Sequence, residues 1–370
     1  MKDLSSTYHL ETNRREATPD AIRTAARQRF LLALLLSTWI PMLFFLSIAH
    51  LETNGIQGMR SIFLFLGTAH VPATFFFYTD RNFSHIIGEH KARYLYFPLA
   101  LTIGAGLVVA FSSLTAQAYL FLTFWAWQAF HYGRQNLGIY SFASIAQAAG
   151  APGPSEKVAI DLATWCGILG TFRVLGMGIA PEYLRPLFDF LYRFGMLGYA
   201  LVIIFSLYVY AKNYERTTPL KTVFYWTLIL FFLPVYLSND INVTFLSYAI
   251  AHGLQYIIFM GIVSFSTEHE ERARAMRYRS ALKLAVLMIL FGLLFYHVET
   301  FRGFDAVKHN LWLTRSFDFL FGAVLGATMA HFVIDAGAWR LSRLPQREYM
   351  TKRFGFIFAP KEAGSRSLNE

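Results

Sequence analysis

Four histidines stand where a lipid bilayer should reject them. His70 lies in the stretch FLGTAHVPATFFFYTD, His131 in FHYGRQNLG, His252 in AHGLQYIIF and His331 in HFVIDAGAWR. Neutral imidazole is the commonest protein ligand for iron, copper and zinc. Each of the four has a polar companion about one helical turn onward, on the same face. Thr74 follows His70; Arg134 and Gln135 follow His131, with Asn136 beside them. Gln255 and Tyr256 follow His252, and Asp335 follows His331.

Residue types in this pattern point to a metal site. A ligating His normally gives its other ring N–H to a carboxylate or carbonyl, which fixes its tautomer. Asp335 is expected to do this for His331, or to join His70, His131, His252 and His331 as a further ligand. Gln135, Asn136 and Gln255 are expected to support their neighbouring histidines, and Tyr256 and Asp335 to handle protons. Arg134 costs roughly 2.5–3.5 kcal/mol at the bilayer centre and cannot deprotonate, so it needs an anion. Its expected partner is Asp335 or the carboxylate or phosphate of a substrate, which makes it a catalytic candidate. The plainer reading is that each His only hydrogen-bonds across a helix pair. Four at one depth, each with a companion, favour a shared site.

The helices that must carry these residues can be read from the apolar runs. A bilayer core takes roughly 20 apolar residues per helix. About ten segments qualify, near 30–50, 61–79, 95–113, 118–146, 158–180, 190–211, 221–237, 243–265, 281–297 and 317–340. The histidines fall in the second, fourth, eighth and tenth, so their helices run in one direction. Each lies near the middle of its span, within roughly 6 Å of a common plane at 1.5 Å per residue. Pro72 frees a backbone carbonyl beside His70. Gly322 and Gly326 form a GxxxG pair suited to close packing of the tenth helix.

Composition excludes the soluble classes. Of 370 residues, 55% are hydrophobic and only 15% charged, against about 25% charged in soluble domains; the mean hydropathy is +0.39. The expected fold is all-α: a polytopic integral membrane protein of about ten transmembrane helices with both termini cytoplasmic. On that topology about 25 of the 33 Lys and Arg lie on the inner side and about six on the outer. The net charge of +10 therefore reads as membrane orientation, with the lipid bilayer and not nucleic acid as partner. In a bacterial cell this is the cytoplasmic membrane. Residues 1–29 are expected as a basic cytoplasmic tail with an interfacial helix over 18–30, residues 30–340 as the membrane domain, and 341–370 as a basic, partly mobile tail. The first apolar run starts about thirty residues in and is too long for a signal peptide, so it reads as a retained span.

Motifs narrow the chemistry further. The single cysteine, Cys166, excludes an intrachain disulfide and any multi-cysteine zinc or iron–sulfur site. The HxxxH and HxxHH clusters of membrane desaturases and alkane hydroxylases are missing, as are HExxH, Walker A and GxGxxG. His85 and His90 read as solvated loop residues beside Asp80, which closes the His70 helix and could act at an entry. The tryptophans at 125 and 127 read first as packing residues, and as an aromatic wall beside the site they would suit a greasy or conjugated substrate. A mostly imidazole shell with an open position suits iron, or copper, and oxygen chemistry. The expected function is a metal-dependent oxidoreductase or oxygenase acting on a lipid, isoprenoid or other apolar small-molecule substrate. Two readings compete with it: a non-covalent haem protein, since no CxxCH occurs, and a proton-coupled transporter of a small solute.

Overall fold

Proline sets many of the helix starts. Pro72, Pro98, Pro186, Pro219, Pro234 and Pro345 all occupy the first two positions of their helices, where the missing N–H would have had no partner. The computed structural model describes residues 19–48, 68–147, 149–178, 182–238, 240–265, 273–302 and 309–358. Among them every regular element is helical. The helices are α1 (Pro19–Ile48), α2 (Phe76–Thr79), α3 (Arg81–Glu89), α4 (Phe97–Phe111), α5 (Leu114–Ala146), α6 (Pro154–Gly178) and α7 (Arg185–Asn213). They continue with α8 (Pro219–Ile229), α9 (Pro234–Leu237), α10 (Ile241–Phe265), α11 (Ala273–Arg302), α12 (Leu311–Ala338), α13 (Leu344–Arg353) and α14 (Gly355–Phe358).

Among the described residues, five segments are long and apolar enough to cross a membrane: Asp20–Ile48, Ala92–Phe111, Glu182–Asn213, Val243–Phe265 and Leu311–Ala338. These agree with an all-α membrane protein. Helices α5, α6 and α11 coincide with three further expected spans, but polar residues such as Arg134, Gln135 and Asn136 dilute their apolar character.

Two expected spans are not regular helices. Over the described part of the second, a 3-10 turn (Val71–Phe75) carries Pro72 and runs into the single turn of α2. The seventh is broken between α8 and α9, because Pro234 has no N–H to give and its ring would clash with the preceding turn. Hydrocarbon cannot satisfy the freed backbone groups, so side chains do. The Tyr248 hydroxyl accepts from Val235 N at 3.0 Å and donates to Phe232 O at 3.1 Å. Tyr199 donates to Ile229 O at 2.6 Å.

Both ends of the described chain depart from expectation. Thr18, the expected cap of an interfacial helix, lies outside the described residues with the rest of 1–18. From Pro19 onward α1 runs unbroken into the first span. After Arg340 the expected mobile tail is a packed segment up to Phe358. Met350 and Phe354 are fully buried, and the Phe354 ring meets Phe142 at 5.4 Å and Phe259 at 5.6 Å. Arg27 Nε donates to Phe356 O at 2.5 Å. Apolar residues spaced along 349–357 supply that packing, which the surrounding basic residues obscure. Residues 359–370 lie outside the described set.

Helix α12 meets α4 backbone to backbone. A Cβ built on Gly322 would stand 2.4 Å from Ala105 O, and one on Gly326 2.3 Å from Leu101 O. These are backbone atoms, which cannot rotate aside. The contact fixes the height of α12 and with it His331. Gly326→Val should therefore destabilise the protein by about 1–3 kcal/mol or more, read as a lowered unfolding temperature. Gly104→Val, whose Cβ would meet nothing within 4 Å, should leave that temperature unchanged within error.

Candidate metal centre

The four histidines converge. His70 immediately precedes the 3-10 turn, His131 lies midway along α5, His252 midway along α10, and His331 three-quarters along α12. All four are buried. Their rings form a closed circuit. Centroids are 4.6 Å apart for His70–His252, 4.9 Å for His252–His131, 5.1 Å for His131–His331 and 5.1 Å for His331–His70. Across the circuit, His252 and His331 are 6.1 Å apart.

The ring-centroid spacings match imidazoles about one ion, while the ligand atoms fall into two overlapping sets that share His331. With metal–nitrogen bonds of about 2.1 Å and the ring centroid about 1.1 Å beyond, adjacent imidazoles on one ion lie about 4.5 Å apart at right angles, about 5.2 Å apart in a tetrahedron and about 6.4 Å apart when opposite. The observed set lies between square and tetrahedral. One ligand atom from each of His70, His252 and His331 falls within 4.8 Å of the others, and so does one from each of His131, His331 and Asp335. Among the described residues His131 Nε2, both nitrogens of His252 and His331 Nε2 are buried without a hydrogen-bond partner.

Asp335 stands beside the circuit. Its Oδ2 is 3.4 Å from His331 Nδ1 and 3.9 Å from His131 Nε2. Its Oδ1 accepts from the Tyr256 hydroxyl at 2.7 Å and from Thr74 at 3.3 Å. Thr74 also bonds Tyr256 at 2.7 Å and His331 Nδ1. With Nδ1 engaged by Thr74 and Asp335, His331 has Nε2 to offer an ion. Asp335, expected either as ligand or as acceptor, accepts from Tyr256 and Thr74 and also stands in a potential ligand set with His131 and His331.

Arg134 is not at the site. It points away and pairs with Asp161 on α6 at 2.9 Å, both side chains being about half exposed (50% and 42%). The helical wheel explains this. At about 100° per residue, Gln135, Gln128 and Tyr132 fan to one side of His131, and Arg134 lies about 60° to the other. The expected Arg134–Asp335 pair is therefore replaced by Arg134–Asp161. Gln135 and Gln255 also serve differently from expectation. Gln135 donates to Gln255 Oε1 at 2.9 Å and to the His252 backbone carbonyl at 3.2 Å, and Gln255 donates to Thr38 on α1 at 2.6 Å. They tie helices α1, α5 and α10 together and do not touch an imidazole nitrogen. Asn136 is buried, with its Nδ2 lacking a partner among the described residues.

One group escaped the sequence reading and one was read in a different role. Tyr132, adjacent in sequence to His131, sets its ring 4.7 Å from His252, and Gln128 donates to the Tyr132 hydroxyl. Spacing rules of three and four residues pass over a neighbour at one. The other is Asp80. Its Oδ2 accepts from Arg353 at 2.8 Å and from Tyr349 at 2.7 Å, while Oδ1 caps α3 through Asn82 N at 3.0 Å. Burial first, and then the Asp80 carboxylate, hold the Tyr349 phenol well above its usual range, so it stays a donor. His85 and His90 are exposed as expected, on and just after α3, and in place of an entry role at Asp80 this knot pins the segment carrying His70 and Thr74.

No protein family, curated protein or solved structure matches the chain. The site must be read from its own residues. Asp335→Asn should weaken metal retention about 10- to 100-fold, whereas Arg134→Gln should leave it unchanged. A chelator competition on both purified variants makes the comparison.

Proposed function

We propose that this protein is a membrane-embedded, metal-dependent oxidoreductase acting on an apolar small molecule. His70, His131, His252 and His331 hold one ion, with iron first and copper second. The observation that carries the reading is the closed circuit of four buried imidazoles, in which His131 Nε2, both nitrogens of His252 and His331 Nε2 have no hydrogen-bond partner among the described residues. A buried polar group left unsatisfied costs roughly 1–3 kcal/mol, so several gathered at one point need a common partner. An ion supplies it.

The surrounding residues fit roles about that ion. Asp335 orients His331 through Nδ1 and raises its basicity. Tyr256, donating to Asp335, is the proton-carrying group beside the circuit. Phe332 stacks on His131 at 4.4 Å, and the aromatic groups near it exclude water. An ion held by His70, His131, His252 and His331 would supply redox chemistry, with dioxygen as the oxidant of the apolar substrate. With imidazole ligands alone, sulfur-dependent copper(I) transfer has no support. Haem is set aside on space: two axial histidines would leave the other two, 4.6–5.1 Å from them, inside the porphyrin plane.

The reading extends to topology. Ten crossings with both termini cytoplasmic give the charge bias described above and put the four histidine-bearing segments in one direction at one depth. In a bacterium the protein would occupy the inner membrane, and a lipophilic substrate would enter sideways from the bilayer.

Elemental analysis of protein purified in detergent should return about one iron or copper per chain, and His131→Ala or His252→Ala should remove it. A protein that is metal-free and refuses iron, copper and zinc on reconstitution contradicts the proposal. Tyr256, Asp335 and the histidines would then be read as a proton path in a transporter.

A further inference from the structure

The polar groups facing the histidine circuit say what kind of apolar molecule it takes. Gln128 lies one turn before His131 on α5 and is 9% exposed. Its Nε2 donates to the Tyr132 hydroxyl, and its Oε1 is buried without a hydrogen-bond partner among the described residues. Tyr132 in turn presses its ring to His252 at 4.7 Å. Having accepted from Gln128, the Tyr132 hydroxyl keeps its own proton to give. The pair therefore presents one acceptor and one donor next to the circuit, and a buried amide oxygen left bare costs roughly 1–3 kcal/mol.

We propose that Gln128 and Tyr132 recognise the neutral hydroxyl head of a lipophilic alcohol. A hydroxyl both donates and accepts: it can give its proton to Gln128 Oε1 and take one hydrogen bond from Tyr132. A carbonyl could use only Tyr132. A carboxylate or phosphate would meet the bare amide oxygen and the Asp335 carboxylate with no cation to balance it. Arg134 is spent on Asp161 outside the circuit, and among the described residues the only basic groups within ion-pair distance of Asp335 are His131 and His331. An apolar wall continues from Gln128 for the body of the alcohol. Phe124, Met329 and Phe332 are buried together, with Trp125 and Trp127 against them, and Trp125 meets Phe245 at 4.3 Å.

This inference rests on the reading of the circuit as a substrate site, and its test separates the two. The protein in lipid nanodiscs is titrated with tritiated 1-hexadecanol, with hexadecanoate and hexadecane as matched probes, and its metal content is measured on the same samples. Saturable binding of the alcohol, about one per chain and at least tenfold tighter than the acid or the alkane, is expected. Gln128→Met, close in volume to the amide, and Tyr132→Phe should each weaken it about tenfold with metal content unchanged. Equal or tighter binding of the acid, or alcohol binding untouched in both variants, overturns the proposal. The wild-type probe series decides by itself if a variant does not fold. Alcohol binding that depends on Gln128 in a protein lacking metal would uphold this inference and sink the metal reading. A loaded protein that binds no alcohol would do the reverse.

Discussion

Everything in this protein depends on keeping polar atoms satisfied where there is no water. In the hydrocarbon core each backbone or side-chain group must find its partner inside the protein. The chain meets that demand in two ways. Where proline breaks a span, tyrosine hydroxyls close the gap, as Tyr248 does for Phe232 and Val235. At the centre, four imidazoles gather, and among the described residues His131 Nε2, both nitrogens of His252 and His331 Nε2 have no hydrogen-bond partner. The first solution is structural. The second is open-ended, and the proposed ion would close it.

Positioning that circuit takes most of the remaining polar residues. The glycines of α12 let it approach the backbone of α4 and set the height of His331. Asp80, tied to Arg353 and Tyr349, holds the segment that delivers His70. The chain Thr38–Gln255–Gln135 links α1, α10 and α5 and ends on the His252 carbonyl. Asp335, Thr74 and Tyr256 then fix the face of His331. The order runs from backbone approach, to amide ties between helices, to the orientation of a single ring.

Much of this was legible in the sequence, for a physical reason. A His amid apolar residues is conspicuous, and helical periodicity correctly linked His331 to Asp335 and His252 to Tyr256. The same periodicity misplaced Arg134. It sits within a turn of His131 but on the far side of the wheel from Gln128 and Tyr132, and one-dimensional spacing cannot say which side faces inward. The buried C-terminal segment was hidden for another reason. Leu344–Arg353 is polar overall, and its burial rests on a few side chains, Tyr349, Met350 and Arg353, whose partners are more than 80 residues away in sequence.

X-ray absorption at the edge of the metal carried by the purified protein tests the central claim most directly. One ion in a shell of four imidazole nitrogens at about 2.0–2.1 Å, with no sulfur and no second metal, is the expected spectrum. A sulfur shell, a porphyrin signature, two or fewer imidazoles, or no metal at all after reconstitution would contradict it.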